Sequence, residues 1–83
     1  MEPSISLVVS DMLTGSHLLR SRSEEQRKLH KELSYAFEKV EDLKPLTVRE
    51  KELINEASTM FYGGQHDMCN QLGVDEQKLV KLL

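Results

Sequence analysis

Ser23-Glu24-Glu25-Gln26-Arg27-Lys28-Leu29-His30-Lys31-Glu32-Leu33-Ser34-Tyr35-Ala36-Phe37-Glu38-Lys39-Val40-Glu41-Asp42-Leu43 is the stretch that decides the fold. Leu29, Leu33, Ala36, Phe37 and Val40 recur at three- and four-residue spacing, so on a helix they form one apolar stripe. Ser23 followed by Gln26 has the form of a capping box, in which each residue satisfies an orphan backbone donor of the other. The helical pattern extends back to Ser16, giving a long helix over 16–43. Leu19, Gln26, Leu33 and Val40 also recur every seven residues, with Leu29, Ala36 and Leu43 interleaved, as in a short coiled-coil seam. Gln26 and Arg22 interrupt the first half of that seam. Two readings stay open: packing inside one small domain, or self-association through Leu29, Leu33, Phe37 and Val40.

The flanking segments are helical too. Ile5, Val8, Val9, Met12 and Leu13 mark one face of a helix over 3–14, with Ser6, Ser10 and Asp11 off that face. Pro3 suits its first turn and Gly15 its stop. Ile5 to Val9 is also β-branched enough for a short strand. After the long helix, Lys44-Pro45 is a stop, because the residue before proline is pushed out of the α region. Thr47 and Glu50 form a second capping box and open a helix over 47–62. Its buried face is Leu53, Ile54, Ala57, Met60 and Phe61, with Tyr62 also placed in the core. Gly63-Gly64 ends it. Two short helices follow, Gln65 to Leu72 and Glu76 to Leu83. The expectation is one all-α domain over 1–83, a bundle of four to five helices.

Composition narrows the function. The 83 residues carry a formal net charge of −3, with 39% hydrophobic and 30% charged residues. That is a folded, soluble composition. The negative balance argues against strong non-specific binding to nucleic acid or anionic membranes. Aromatics are 5% and there is no Trp, which leaves little for a base-stacking platform. The single Cys69 cannot make an internal disulfide, as expected of a reducing compartment. No apolar run is long enough to span a bilayer, and Met1-Glu2-Pro3 lacks the basic start of a signal peptide. The expectation is a cytoplasmic chain without membrane insertion. A core this small makes a homo-oligomer a natural expectation.

The C-terminal run from Gly63 to Leu83 carries the one local pattern that points to a role. Leu72 and Val74 flank Gly73, which suits a turn needing positive φ, and Asp75 is a good N-cap for the last helix. Met68, Cys69, Leu79 and Leu82 face inward. The run resembles the DNA-binding end of Fis-type bacterial regulators. Gly63 stands at the first glycine of that pattern, and Met68 and Cys69 at its paired alanines. Leu72, Gly73 and Val74 match its turn; Asp75 stands for its serine, Lys78 for its threonine, and Leu79 and Leu83 match. Leu46-Thr47-Val48-Arg49-Glu50 also resembles the opening of LuxR-type domains, although two extra residues before the turn break that register. The resemblance implies a helix-turn-helix whose last helix offers Gln77, Lys78 and Lys81 to DNA. Asp75 and Glu76 at its leading end would face phosphates.

Other clusters have plain alternatives. Arg20, Arg22, Arg27, Lys28 and Lys31 form a basic segment that could meet phosphates, an acidic partner or only solvent. Glu38, Glu41, Asp42, Glu50, Glu52 and Glu56 form an acidic middle, which could pair with the basic segment across a dimer. His66 and Cys69, three apart, supply at most two metal ligands, too few for a zinc site. Gly63-Gly64 lacks the lysine and preceding strand of a phosphate loop. No catalytic constellation and no cofactor site is legible. The sequence therefore points to a small, non-enzymatic regulatory protein, of a size usual in phages and bacteria. Its expected mode of action is binding a protein partner; the alternative is a helix-turn-helix transcription regulator.

Overall fold

The computed structural model describes residues 3–83, except for the side chain of Ser16, so the expectations placed on Met1 and Glu2 lie outside the described residues. Five α-helices follow in order: α1 (Ile5–Thr14), α2 (Glu24–Glu41), α3 (Val48–Ser58), α4 (Gly64–Leu72) and α5 (Glu76–Leu82), with a 3₁₀ helix over Ser16–Ser21 between the first two. The described residues contain no strand, and the fold is an all-α bundle. Ile5 to Val9 is helical, which closes the strand alternative. None of these helices is long and apolar enough to cross a membrane.

α2 is the spine. Gln26, Leu29, Leu33, Ala36, Phe37 and Val40 are all buried along it, and α1, α3 and α5 pack against it. Around this stripe gather Ile5, Val8 and Val9 of α1, Leu53, Ile54 and Ala57 of α3, Phe61 of the turn after α3, Met68 and Cys69 of α4, and Leu79 of α5. Leu33 has no exposed surface. A side chain of its kind gains about 1.5–3 kcal/mol on full burial. Leu29, Leu33, Phe37 and Val40, the residues expected to mediate self-association, therefore lie in the core of this one chain.

The expected long helix over 16–43 is divided. Its first part is the 3₁₀ helix, Arg22 is extended, and α2 begins after Ser23. The Ser23 hydroxyl accepts from the Gln26 N–H at 3.1 Å, but the Gln26 side chain does not return the bond. It reaches α1 instead, accepting from the Ser4 N–H and donating to the Ser4 carbonyl, both at 2.8 Å. The residue that interrupts a coiled-coil seam thus pins α1 to α2. The Thr47–Glu50 box is complete in both directions.

α2 ends in a Schellman-type closure. The Lys44 N–H donates to the Lys39 carbonyl at 2.9 Å and the Leu43 N–H to the Val40 carbonyl at 3.1 Å. Leu43 takes the left-handed position usually given to glycine, with φ 53°. α3 stops at Ser58, short of the expected Tyr62, because the chain turns over Thr59 to Gly63. That turn buries Phe61 but exposes Met60 and leaves Tyr62 wholly in solvent, so neither belongs to the core. On α1, Leu13 is exposed while Asp11 is buried, the reverse of the sequence reading.

Candidate functional site

The C-terminal pair is built as its turn residues dictate. Gly73 adopts φ 73°, and the Val74 N–H donates back to the Cys69 carbonyl at 2.9 Å, closing α4. Asp75 then caps α5, its carboxylate accepting from the N–H groups of Gln77 (3.0 Å) and Lys78 (3.4 Å). Leu79 is fully buried, and Leu72, Val74 and Leu82 are half-buried against the core.

The polar residues of α5 are partly spent inside the molecule. Lys78 Nζ donates to the Glu41 carbonyl at 3.0 Å and lies 3.9 Å from its carboxylate, so it caps the C-terminal end of α2. Lys78 is thus engaged within the molecule at the end of α2. Glu76 holds His66 at 2.7 Å. Its hydrogen bond and charge raise the His66 pKa above the ordinary imidazole value. Gln77 and Lys81 are exposed, as are Val80 and Leu83.

The basic segment also separates. Arg20, Arg27, Lys28 and Lys31 are exposed. Arg22 is engaged within the molecule: its guanidinium grips Asp11 in a two-pronged contact, Nε to Oδ2 at 2.9 Å and Nη2 to Oδ1 at 2.8 Å. Asp11 is 1% exposed. The hydrogen bond from Arg22 holds its pKa below the usual carboxylate value, against the opposing effect of burial. This pair locks the 3₁₀ segment back onto α1. Roughly 20 Å of helix separates Lys28 from the Glu41–Lys78 contact at 1.5 Å per residue. Glu32 and Glu38 stand between, with Glu41 at the far end, so the two basic groups do not merge into one positive surface.

A hollow of about 450 Å³ opens where the end of α1, the middle of α2 and the α4–α5 turn meet. Met12, Phe37, Leu72 and Val74 give it an apolar wall, and His30, Ser34 and Glu38 its polar groups. His30 Nδ1 lies 3.4 Å from the Ser34 hydroxyl, while its buried Nε2 has no hydrogen-bond partner. The sequence reading places no site at His30. The only local trace was the four-residue step from His30 to Ser34; the wall comes from distant segments.

His66 and Cys69 do not share a site. His66 is exposed beside Glu76, whereas Cys69 is buried and burial raises its thiol pKa, which keeps it protonated. Among the described residues no three His, Cys, Asp or Glu side chains cluster to hold a metal ion. No protein-family model, curated protein or solved structure matches the chain.

Proposed function

We propose that this chain is a small, non-enzymatic regulatory module that works by receiving an apolar side chain of a protein partner in the hollow between α1, α2 and the α4–α5 turn. The observation that carries this reading is the hollow itself: an apolar wall with a few polar groups, one of them the unpartnered His30 nitrogen. A buried nitrogen without a partner is costly, and a ligand group that bonds it gains specificity as well as affinity. The partner reading is also supported by α5, whose leading residues are acidic and whose Lys78 is engaged by Glu41.

The test is paired capture from a nuclease-treated extract of the source cells, with wild type and Met12→Lys as baits. Lysine keeps an apolar stem on the core and sets its ammonium at the mouth of the hollow, so the fold is retained. A protein held by wild type and lost by Met12→Lys is the expected result. Retention of the same proteins by both baits would remove the hollow as the binding site.

The second reading is a DNA-binding regulator of helix-turn-helix type. It draws on the positive φ of Gly73, the Asp75 cap and the exposure of Gln77 and Lys81. On this reading Lys78 must leave Glu41 to reach a phosphate. That exchange is the reason it ranks second.

A further inference from the structure

An adjoining surface, which shares Ser34 and Glu38 with that hollow, carries an inference argued from other observations. We infer that the solvent face of α2 is a two-fold contact on which a second copy of this chain lays its own α2 antiparallel. At 100° per residue, Arg27, Lys28, Lys31, Tyr35, Glu38 and Asp42 run along one strip, opposite Leu29, Leu33 and Val40. All six are exposed, Tyr35 by 56%. The ion pairs α2 makes within the molecule use charges beside the strip: Glu32 with Arg49 at 3.3 Å, Lys39 with Glu50 at 2.7 Å and Glu41 with Lys78 at 3.9 Å. Among the described residues, Arg27, Lys28, Lys31, Glu38 and Asp42 make no ion pair. Those five sort by sign, cations toward the start of the helix and anions toward its end.

That order is unfavourable for a helix alone. The helix dipole favours carboxylates at the N-terminal end and cations at the C-terminal end. Glu24, in line with the strip, and Glu25, beside it, obey this in the first turn, but the charges from Arg27 to Asp42 oppose it. An antiparallel second α2 reverses both its charges and its dipole. With the two-fold axis between Ser34 and Tyr35, Lys31 faces Glu38 of the second copy, and Arg27 and Lys28 face its Asp42 end. A parallel arrangement in register would instead set Lys31 against Lys31 and Glu38 against Glu38. Identical patches meeting across a two-fold axis is the usual geometry of a dimer.

The strip also has a place for a knob. A shallow hollow of about 450 Å³ is lined by Lys28, Lys31, Glu32, Ser34, Tyr35 and Glu38. Lys31, Ser34, Tyr35 and Glu38 have the i, i+3, i+4, i+7 spacing of the four residues that receive a knob from a facing helix. They are centred on the proposed axis, so each Tyr35 ring enters the hollow of the other copy.

One helix face buries less than the roughly 1,200 Å² usual for stable complexes, so the dimer should be weak, with Kd in the range of about 10 µM to 1 mM. The test is sedimentation equilibrium of the full chain across that concentration range, on wild type, Lys31→Glu, Glu38→Lys and the double variant. Both positions are exposed, and an unchanged circular-dichroism spectrum confirms each fold. Each single change sets like charges together twice, because the axis doubles every contact, and should raise Kd at least about tenfold. The double variant swaps the signs and should return Kd to within about threefold of wild type. A wild type that stays monomeric at about 1 mM, single variants that dimerise as wild type does, or a double variant that fails to recover would each overturn the inference.

Discussion

Arg22 is half-exposed, yet it holds the buried Asp11 carboxylate, and this asymmetry decides what each substitution does. Removing Arg22 strands a buried charge, whereas removing Asp11 releases a cation that can turn to water. Arg22→Ala should lower Tm by roughly 10 °C. Asp11→Ala/Arg22→Ala should melt above Arg22→Ala, and Arg27→Ala should melt as wild type does. Thermal melts of the set check the ranking. The pH dependence follows with a definite sign. Arg22 lowers the Asp11 pKa in the folded state, and the Lys39 and Thr47 hydrogen bonds do the same for Glu50 against the effect of its burial. Their contribution is present above the ordinary carboxylate value of about 4 and is lost as pH falls through the lower folded values. Melts between pH 7 and pH 2 should show this loss below about pH 4, with a smaller drop in Asp11→Asn. Leu43 offers the opposite kind of change. Its φ of 53° suits glycine, and its side chain is half-exposed, so Leu43→Gly should raise stability by about 1 kcal/mol in urea titrations. A loss of stability there would mean that the side-chain contacts of Leu43 outweigh its backbone strain.

Among the elements, α2 was legible in the sequence because its apolar spacing is nearly unbroken from Leu29 to Val40 and because Thr47 and Pro45 mark where the next helix can begin. The start of α2 was legible in the Ser23–Gln26 cap, but the break at Arg22 that parts it from the 3₁₀ helix was not. That break depends on Arg22 reaching Asp11, eleven residues back, and no local pattern announces that contact. The same holds for Gln26, which looks like a fault in a heptad but joins α1 to α2 through both backbone groups of Ser4. The two readings of Gln26 predict opposite results. A seam would gain from Gln26→Leu, whereas the observed contacts require a loss of about 1–2 kcal/mol, read as a lower denaturation midpoint. Leu33→Asp should unfold the chain rather than release folded monomers, since it buries a carboxylate among apolar side chains with no partner. Far-ultraviolet circular dichroism distinguishes the outcomes, and a folded monomer would contradict the assignment of Leu33 to the core of a single chain.

For the molecule as a whole, the turn and cap of the last two helices were readable from Gly73 and Asp75, but the fate of the α5 charges was not. Lys78 reads as a DNA contact until α2 and α5 are seen to meet at Glu41, 37 residues earlier. The hollow at His30 was equally hidden, because its wall comes from three separate segments. Both facts are the grounds on which we propose a protein partner rather than DNA. The measurement that tests this most directly is a titration of the full chain into fluorescent duplex DNA of mixed sequence at about 50 mM and 200 mM salt, where phosphate-driven binding differs most. The account predicts no saturable binding at the lower salt. Sub-micromolar binding that falls steeply at the higher salt and is abolished by Lys81→Glu would contradict it and make α5 a DNA-contacting helix.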